Sequence, residues 1–455
     1  MRIHFILTIS IIVTLAHCEK IINVGEPLYL TPYIENGDIE TAKKLALVNL
    51  KDAENITSYA GLFTVNKTYD SVLFHWYFVS ENDPENAPVL FWLNGGPGTS
   101  SLLGCLQENG PFEVTGDLNI KFREFYWTKN HHVIYIESPV RTGYSTTATE
   151  DGMAKSLEDV SENLHKALLQ FFEMFPNLKT NDFFITGESF AGKWIPSLGH
   201  QILSKKQIKN FKGVAIGNGI TDSIQGFGIG DYLYQQGFID DEQLELFHEK
   251  EKECESALQN VPHGAKNESE LLVCRQIIDP FDNKTVFANT TGYTHNYNLL
   301  ISRQIVSNAN REVYLQLPEI REALHVGNLT RWGNFSDHAS IQEHLGVSMV
   351  QSEKPHVEEM LNNNYQVLIY NGQLDVQVPY ITTVNYIKKL NFTHSKDYKK
   401  ASRKIWLLDD QVAGYIKKAG SLTEVMVVGS GHMVPTDQPK RAFELITNFT
   451  RYLLD

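Results

Sequence analysis

The sequence predicts an α/β fold: a mainly parallel central sheet flanked by helices, with a largely helical cap inserted. Three observations carry this. Short apolar runs of strand length recur along the chain, at Val89–Asn94, Val133–Glu137, Phe183–Thr186, Gly213–Gly217, Val367–Tyr370 and Val425–Val428. Runs that do not alternate suit strands covered on both faces, as in a parallel sheet. Amphipathic stretches lie between them. A Gly-rich turn joins one of the runs directly to a helical segment.

Taken in order, Val72–Ser80 alternates, with Leu73, His75, Tyr77 and Val79 opposite Phe74, Trp76 and Phe78. This suits an antiparallel strand near a sheet edge. Leu157–Phe175 places Leu157, Val160, Leu164, Leu168, Phe171, Phe172 and Phe175 at helical spacing and is ended by Pro176. Between Asp222 and Glu319 the strand signal fades into a polar, sequon-rich stretch, helical at Asp241–Leu258. The expected organisation is a leader at residues 1–18, a first core segment 19–222, an inserted cap 223–318 and a second core segment 319–455.

The Gly-rich turn is Gly187-Glu188-Ser189-Phe190-Ala191-Gly192, between the run ending at Thr186 and the helix expected over Lys193–Leu203. A serine between small residues at a strand-to-helix turn is the nucleophile elbow of an α/β-hydrolase. Ala191 stands where the pattern usually has Gly, a mild departure. The turn sets the Phe190 N–H and a helix N-terminus beside the hydroxyl, where negative charge develops in acyl transfer. A nucleophilic serine needs a base, and the base an orienting carboxylate, in the chain order Ser, acid, His. Asp375 ends the turn after Val367–Tyr370, and His432 sits in the Gly-flanked loop after Val425–Val428. Ser189, His432 and Asp375 are therefore the expected nucleophile, general acid/base and orienter. Asn94-Gly95-Gly96-Pro97-Gly98 follows another strand, and the Gly96 N–H is the expected second oxyanion donor beside Phe190.

Six ordered segments then carry a resemblance. They are WLNGGPGTSSL (92–102), ENGPF (108–112), IESPVRTGYS (136–145), TGESFAGKWIP (186–196), YNGQLDVQVP (370–379) and GSGHMVPTDQP (429–439). The chain resembles the serine carboxypeptidases over nearly its whole length. LPEIREALHVGN (317–328) and QVAGYIKKAG (411–420) make it most similar to the vitellogenic carboxypeptidase-like branch. The resemblance implies release of the C-terminal amino acid of a peptide through an acyl-enzyme, usually in acid. It further implies that Asn94, Gly95, Glu108 and Glu188 bind the terminal part of the substrate, and that Met433 contacts the departing side chain. Two carboxyl groups in one site cannot both ionise cheaply, so one is expected to stay protonated and donate to the substrate carboxylate. The chain departs from the family at Thr99, where many members have a bridging Cys. It departs again at Arg141, where Gly is common, and a long cation there could alter access or substrate choice.

An acyltransferase using the same triad, and a non-catalytic carrier on the same fold, are the alternatives to a peptidase. The formal charge of −14 argues against a nucleic-acid partner, and peptide or protein C-termini are the expected partners. No metal-ligand cluster or cofactor motif stands out. Residues Met1–Cys18 read as a signal peptide, with a signal anchor as the alternative, and no later run is apolar enough to span a bilayer. Nine sequons, at Asn55, Asn66, Asn267, Asn283, Asn289, Asn328, Asn334, Asn391 and Asn448, fit a secreted glycoprotein or one routed to an acidic compartment such as the lysosome. Cys254 and Cys274 share one polar segment and are a plausible local disulfide, with Cys105 left as a buried free thiol.

Overall fold

The computed structural model describes residues 24–222, 227–259, 273–279, 282–303, 309–331 and 338–454. The expected leader and the sequons at Asn267 and Asn334 lie outside these. Twelve strands are present among the described residues. They are β1 (Ser58–Asn66), β2 (Ser71–Phe78), β3 (Val89–Leu93), β4 (Phe112–Val114), β5 (Ile120–Phe122), β6 (His132–Ile136), β7 (Phe183–Glu188), β8 (Phe211–Gly217), β9 (Gln366–Gly372), β10 (Lys404–Leu408), β11 (Gln411–Ala419) and β12 (Leu422–Val427). Strands β4 and β5 form a separate hairpin, and the other ten make one sheet in the order β1-β2-β6-β3-β7-β8-β9-β12-β11-β10. The six central strands from β6 to β12 pair in parallel. Antiparallel strands close both sides.

The unbroken apolar runs follow from cover on both faces. In β3, Val89, Phe91 and Leu93 enter one hydrophobic cluster, and Leu90 and Trp92 enter the other. In β7, Phe183 and Ile185 face one way and Phe184 the other. One face is covered by helices Leu157–Met174 and Ala191–Lys205. Ser156 caps the first of these, accepting from the Asp159 N–H at 3.1 Å, with Glu158 and Asp159 in its first turn. Its Leu164, Leu168 and Phe171 are at most 1% exposed, and burying each such side chain stabilises the fold by roughly 1.5–3 kcal/mol. The opposite face is covered by helix Pro439–Thr450 and by Tyr314 and Leu315 of helix Ala309–Gln316.

After β8, the main sheet's sixth strand, the described part of the insertion is helical at Ile229–Gln235, Asp241–Gln259 and Val286–Thr291. It has its own apolar cluster around Leu233, Phe247 and Cys254. Cys254 and Cys274 are bonded, and Cys105 is a buried free thiol. Of the sequon asparagines described, Asn55, Asn283, Asn289, Asn328 and Asn391 are exposed, and Asn66 and Asn448 are half-buried.

Candidate active site

The elbow is built by close backbone approach. Strand β7 ends at Glu188, helix Ala191–Lys205 begins after only two intervening residues, and the first of these, Ser189, has φ +61°. A non-glycine residue in that region costs on the order of 1–3 kcal/mol. Three bonds pin it: the Ser189 N–H donates to Gly217 O at 3.0 Å, and the Ser189 carbonyl accepts from Gly192 at 2.9 Å and Ile220 at 3.0 Å. A Cβ on Gly187 would overlap Leu93 O and stand 3.1 Å from the Ala191 Cβ. The glycine at 187 leaves room for the alanine methyl at 191, so the departure from the usual pattern is accommodated.

Strands β7, β9 and β12 bring the expected triad to one end of the sheet. Asp375 is fully buried just beyond β9, and its Oδ2 lies 2.8 Å from His432 Nδ1. Asp375 also accepts from the Gln377 N–H at 2.9 Å and the Val378 N–H at 3.2 Å. This arrangement fixes the imidazole orientation and leaves Nε2 to handle the proton. Nε2 is buried with no hydrogen-bond partner among the described residues; such bonds often tighten only when substrate is bound.

The Gly-rich loop after β3 lies directly on the elbow. A Cβ on Gly95 would overlap the Phe190 nitrogen and stand 2.9 Å from the Ser189 Cβ. The loop backbone can approach the nucleophile only because residue 95 has no side chain. Gly96 follows with φ +109°, outside the reach of ordinary L residues. The Phe190 ring packs edge-on against Trp194, with centroids 4.9 Å apart.

Beside the elbow, Asn94 Nδ2 donates to Glu108 Oε1 at 2.9 Å and to Glu188 Oε1 at 3.1 Å. Its Oδ1 accepts from Trp92 Nε1 at 2.8 Å and from the Gly104 N–H at 3.0 Å, so the amide cannot flip. Both carboxyls are nearly inaccessible, at 1% and 4% exposure. Burial pushes the Glu188 pKa well above the usual carboxylate range, and the neighbouring Glu108 charge pushes it further. Burial also raises Glu108, against the opposing effect of its bonds to Glu188 and Asn94. Both shifts favour one proton held by the pair at pH values where a free carboxylate would be ionised. Met433 follows His432 directly and is half-buried.

Two contributors escape a reading of the sequence. Asn218, just after β8, donates to Asp375 Oδ2 at 2.6 Å, accepts from the Gly372 N–H at 3.2 Å, and has φ +44°. An asparagine in a Gly-Asn-Gly turn at a strand end was the available signal. The second is the segment Asn296–Leu299. Its Tyr297 carbonyl accepts from the His432 N–H at 2.6 Å, and the Tyr297 ring stands 4.6 Å from the imidazole. Asn296 O accepts from the Val376 and Gln377 N–H groups at 3.1 and 3.0 Å. The insertion thus straps the aspartate loop to the histidine loop. Arg141 has φ +69°, a backbone region that favours glycine. Its Nη1 lies 3.6 Å from Glu150 Oε1.

The sheet order, the strained serine and the three strand-end loops define an α/β-hydrolase. The family model described as serine carboxypeptidase matches residues 49–452. The chain is 42% identical to the venom serine carboxypeptidase of Apis mellifera over 442 residues, 94% of this chain and 91% of the relative. It is 42% identical to the probable serine carboxypeptidase CPVL of Homo sapiens (93% and 90% covered) and 40% identical to the vitellogenic carboxypeptidase of Aedes aegypti (94% and 90% covered). A solved prohormone-processing carboxypeptidase of Saccharomyces cerevisiae superposes with TM-score 0.73 at 22% identity, covering 90% of this chain and 94% of that one, a likeness of fold. The chain belongs to the serine carboxypeptidase family and is a serine-type peptide hydrolase of that family. No helix among the described residues is long and apolar enough to cross a membrane.

Proposed function

We propose that the site removes the last residue of a peptide, with Ser189 as nucleophile, His432 as general acid/base and Asp375 as its orienter. Ser189 Oγ attacks the carbonyl of the last peptide bond as His432 Nε2 takes its proton. The Gly96 and Phe190 N–H groups receive the oxyanion. The C–N bond then breaks, His432 protonates the departing amine, and the free amino acid leaves. Water attacks the acyl-enzyme with its proton going to His432, and Ser189 is released. Met433 lines the pocket of the departing residue, and Phe190 walls that of the residue before it.

The observation that carries this reading is the amide of Asn94 held between two buried carboxyls beside the nucleophile. A protonated Glu188 can donate to the substrate's terminal carboxylate, and Asn94 and Gly95 complete the receiver. When both glutamates ionise, like charges repel the substrate. The raised pKa values give the sign: binding is strongest at acid pH and weakens as pH rises through the pair. KM of a free-acid N-blocked dipeptide should climb with pH, and KM of its C-terminal amide should climb less. The Glu108→Gln/Glu188→Gln variant should lose most of that difference. Equal profiles for acid and amide in the wild type would dismiss carboxylate recognition by this pair.

Residues 223–318 are read as a cap over the site. A leader at residues 1–18, occupied sequons and the oxidised Cys254–Cys274 pair fit passage through the secretory route, to the outside or to an acidic compartment. Endoglycosidase digestion of secreted material checks this: no mobility shift means unoccupied sequons.

A further inference from the structure

Arg311 lies outside the catalytic set, and its guanidinium is incompletely satisfied. The residue is 4% exposed. Nη1 donates to Gln107 Oε1 at 2.6 Å. Nε lies 3.5 Å from Glu312 Oε1, and neither Nε nor Nη2 makes a hydrogen bond among the described residues. Glu312 cannot serve Arg311 alone, because both its oxygens also face Arg331, at 3.2 and 3.4 Å. Arg331 in turn holds Glu137 at 3.0 Å. Arg321 stands over the same Tyr144 ring as Arg331 and, among the described residues, donates to the oxygens of Gln316, Gly327 and Leu329. Arg311 and Arg331 thus share Glu312, Arg331 alone also holds Glu137, and Arg311 has the poorer share. A buried cation with donors unused is costly unless something else meets it.

Its position indicates what meets it. Gln107 immediately precedes Glu108, whose negative charge reaches Arg311. The Gln107 carbonyl accepts from Thr436 Oγ1 at 3.3 Å, three residues after Met433. Arg311 and Gln107 therefore stand at the junction of the Asn94–Glu108–Glu188 receiver and the segment that follows His432. A substrate whose terminal carboxylate rests on that receiver sends its peptide nitrogen toward Ser189. The remaining substituent on that Cα is the side chain of the last residue, and Gln107 and Arg311 stand next to the receiver from which it extends.

We propose that Arg311 is a specificity-determining residue of the leaving-residue pocket, recognising an acidic side chain, aspartate or glutamate, at the substrate's C-terminus. A guanidinium presents paired donors that match a carboxylate, and the side-chain carboxylate supplies the acceptor that Nη2 lacks. Burial draws the guanidinium pKa down only to about 10, so the charge persists throughout the acid range. The proposal rests on the carboxypeptidase reading, and its test separates the two.

Measure kcat/KM for N-blocked dipeptides that differ only in the last residue: glutamate, leucine or lysine. Removing one charge-assisted pair in Arg311→Met should lower the glutamate-to-leucine ratio by about tenfold to a hundredfold, mostly through KM. Arg311→Glu should move preference toward lysine. Turnover of the leucine peptide and a cooperative melting curve report that each variant is folded. An unchanged ratio overturns the proposal. So does an equal loss on all three peptides, which would place Arg311 on the terminal carboxylate or in the scaffold. If the wild type cleaves none of the peptides, the carboxypeptidase reading fails by itself. Calorimetric binding of the same peptides to Ser189→Ala and Ser189→Ala/Arg311→Met then decides the pocket. A tenfold or greater loss confined to the glutamate peptide supports it, and equal affinities overturn it.

Discussion

Single residues set the chemistry, and their roles divide by what each touches. In the mechanism proposed above, Ser189→Ala and His432→Ala remove atoms that bond or transfer protons, and each should cost on the order of 10⁶ in kcat. Hydrolysis of a blocked dipeptide by purified, folded variants checks this, and near-normal turnover by Ser189→Ala would remove the nucleophile assignment. Asn218 acts through Asp375, so its loss should be milder. Asn218→Ala leaves the carboxylate its two backbone donors and removes one side-chain donor at 2.6 Å. A fall of about tenfold to a hundredfold in kcat with little change in KM is expected. A KM effect alone would move Asn218 from orienting the acid to shaping the substrate pocket. The strand-end placement of Ser189 and the pairing of Asp375 with His432 were legible because a nucleophile, acid and base of this kind are expected in a fixed order at strand ends. Asn218 was not, because a turn asparagine ordinarily serves only its own backbone. Arg311 was hidden for a related reason: nothing in its local sequence distinguishes a solvated arginine from a buried one.

At the scale of elements, the parallel strands announced themselves by unbroken apolarity and β2 by alternation, but β10 and β11 did not. Strand β11 is QVAGYIKKA, with two lysines and only partial burial. In β10, Ile405 and Leu407 point to solvent at 64% and 57% exposure. Edge strands are held by ladder bonds more than by a covered face, so their side chains carry little pattern. The strap Asn296–Leu299 was unreadable for another reason: it works through carbonyl groups, which every sequence has. Its fit depends on Gly431, where a Cβ would overlap Tyr297 O and stand 2.8 Å from the Asn298 Cβ. Gly431→Ala should push the strap off the histidine loop, at a cost of about 1–3 kcal/mol in stability and a larger loss in kcat than in melting temperature would suggest. Denaturant unfolding beside kinetics tests this. Full activity would show that the strap is not needed to hold His432.

The whole molecule answers to pH through groups far from the catalytic centre. His75, stacked on Phe63, and His131, bonded to Trp127 O and Thr450, are fully buried, and burial draws both pKa values down to about 3. A group with a depressed folded pKa leaves the unfolded chain the better proton acceptor. Their contribution is fully present above the ordinary imidazole value of about 6.5 and is lost as pH falls toward 3. Glu108 and Glu188 work in the opposite sense, since their raised values favour the folded chain in acid and cost stability as pH rises through them. The melting temperature should therefore peak in mildly acid solution. His75→Phe, which keeps a ring against Phe63, should flatten the acid limb, and an unaltered limb would exclude His75 as a contributor.

The sheet order has a consequence for biosynthesis. Gly213 of β8 pairs with Gln366 of β9, so the middle of the sheet stays open until the second core segment exists. The nucleophile is translated early, but its base lies beyond β12, the last strand made. Helix Pro439–Thr450 comes later still, and its Phe449 packs 5.5 Å from Phe184 on the strand that carries the serine. Pairings so distant in sequence form late and slowly. A chain that ends before His432 therefore holds Ser189 without the histidine proposed to activate it, and on that reading hydrolytic power waits for the second core segment.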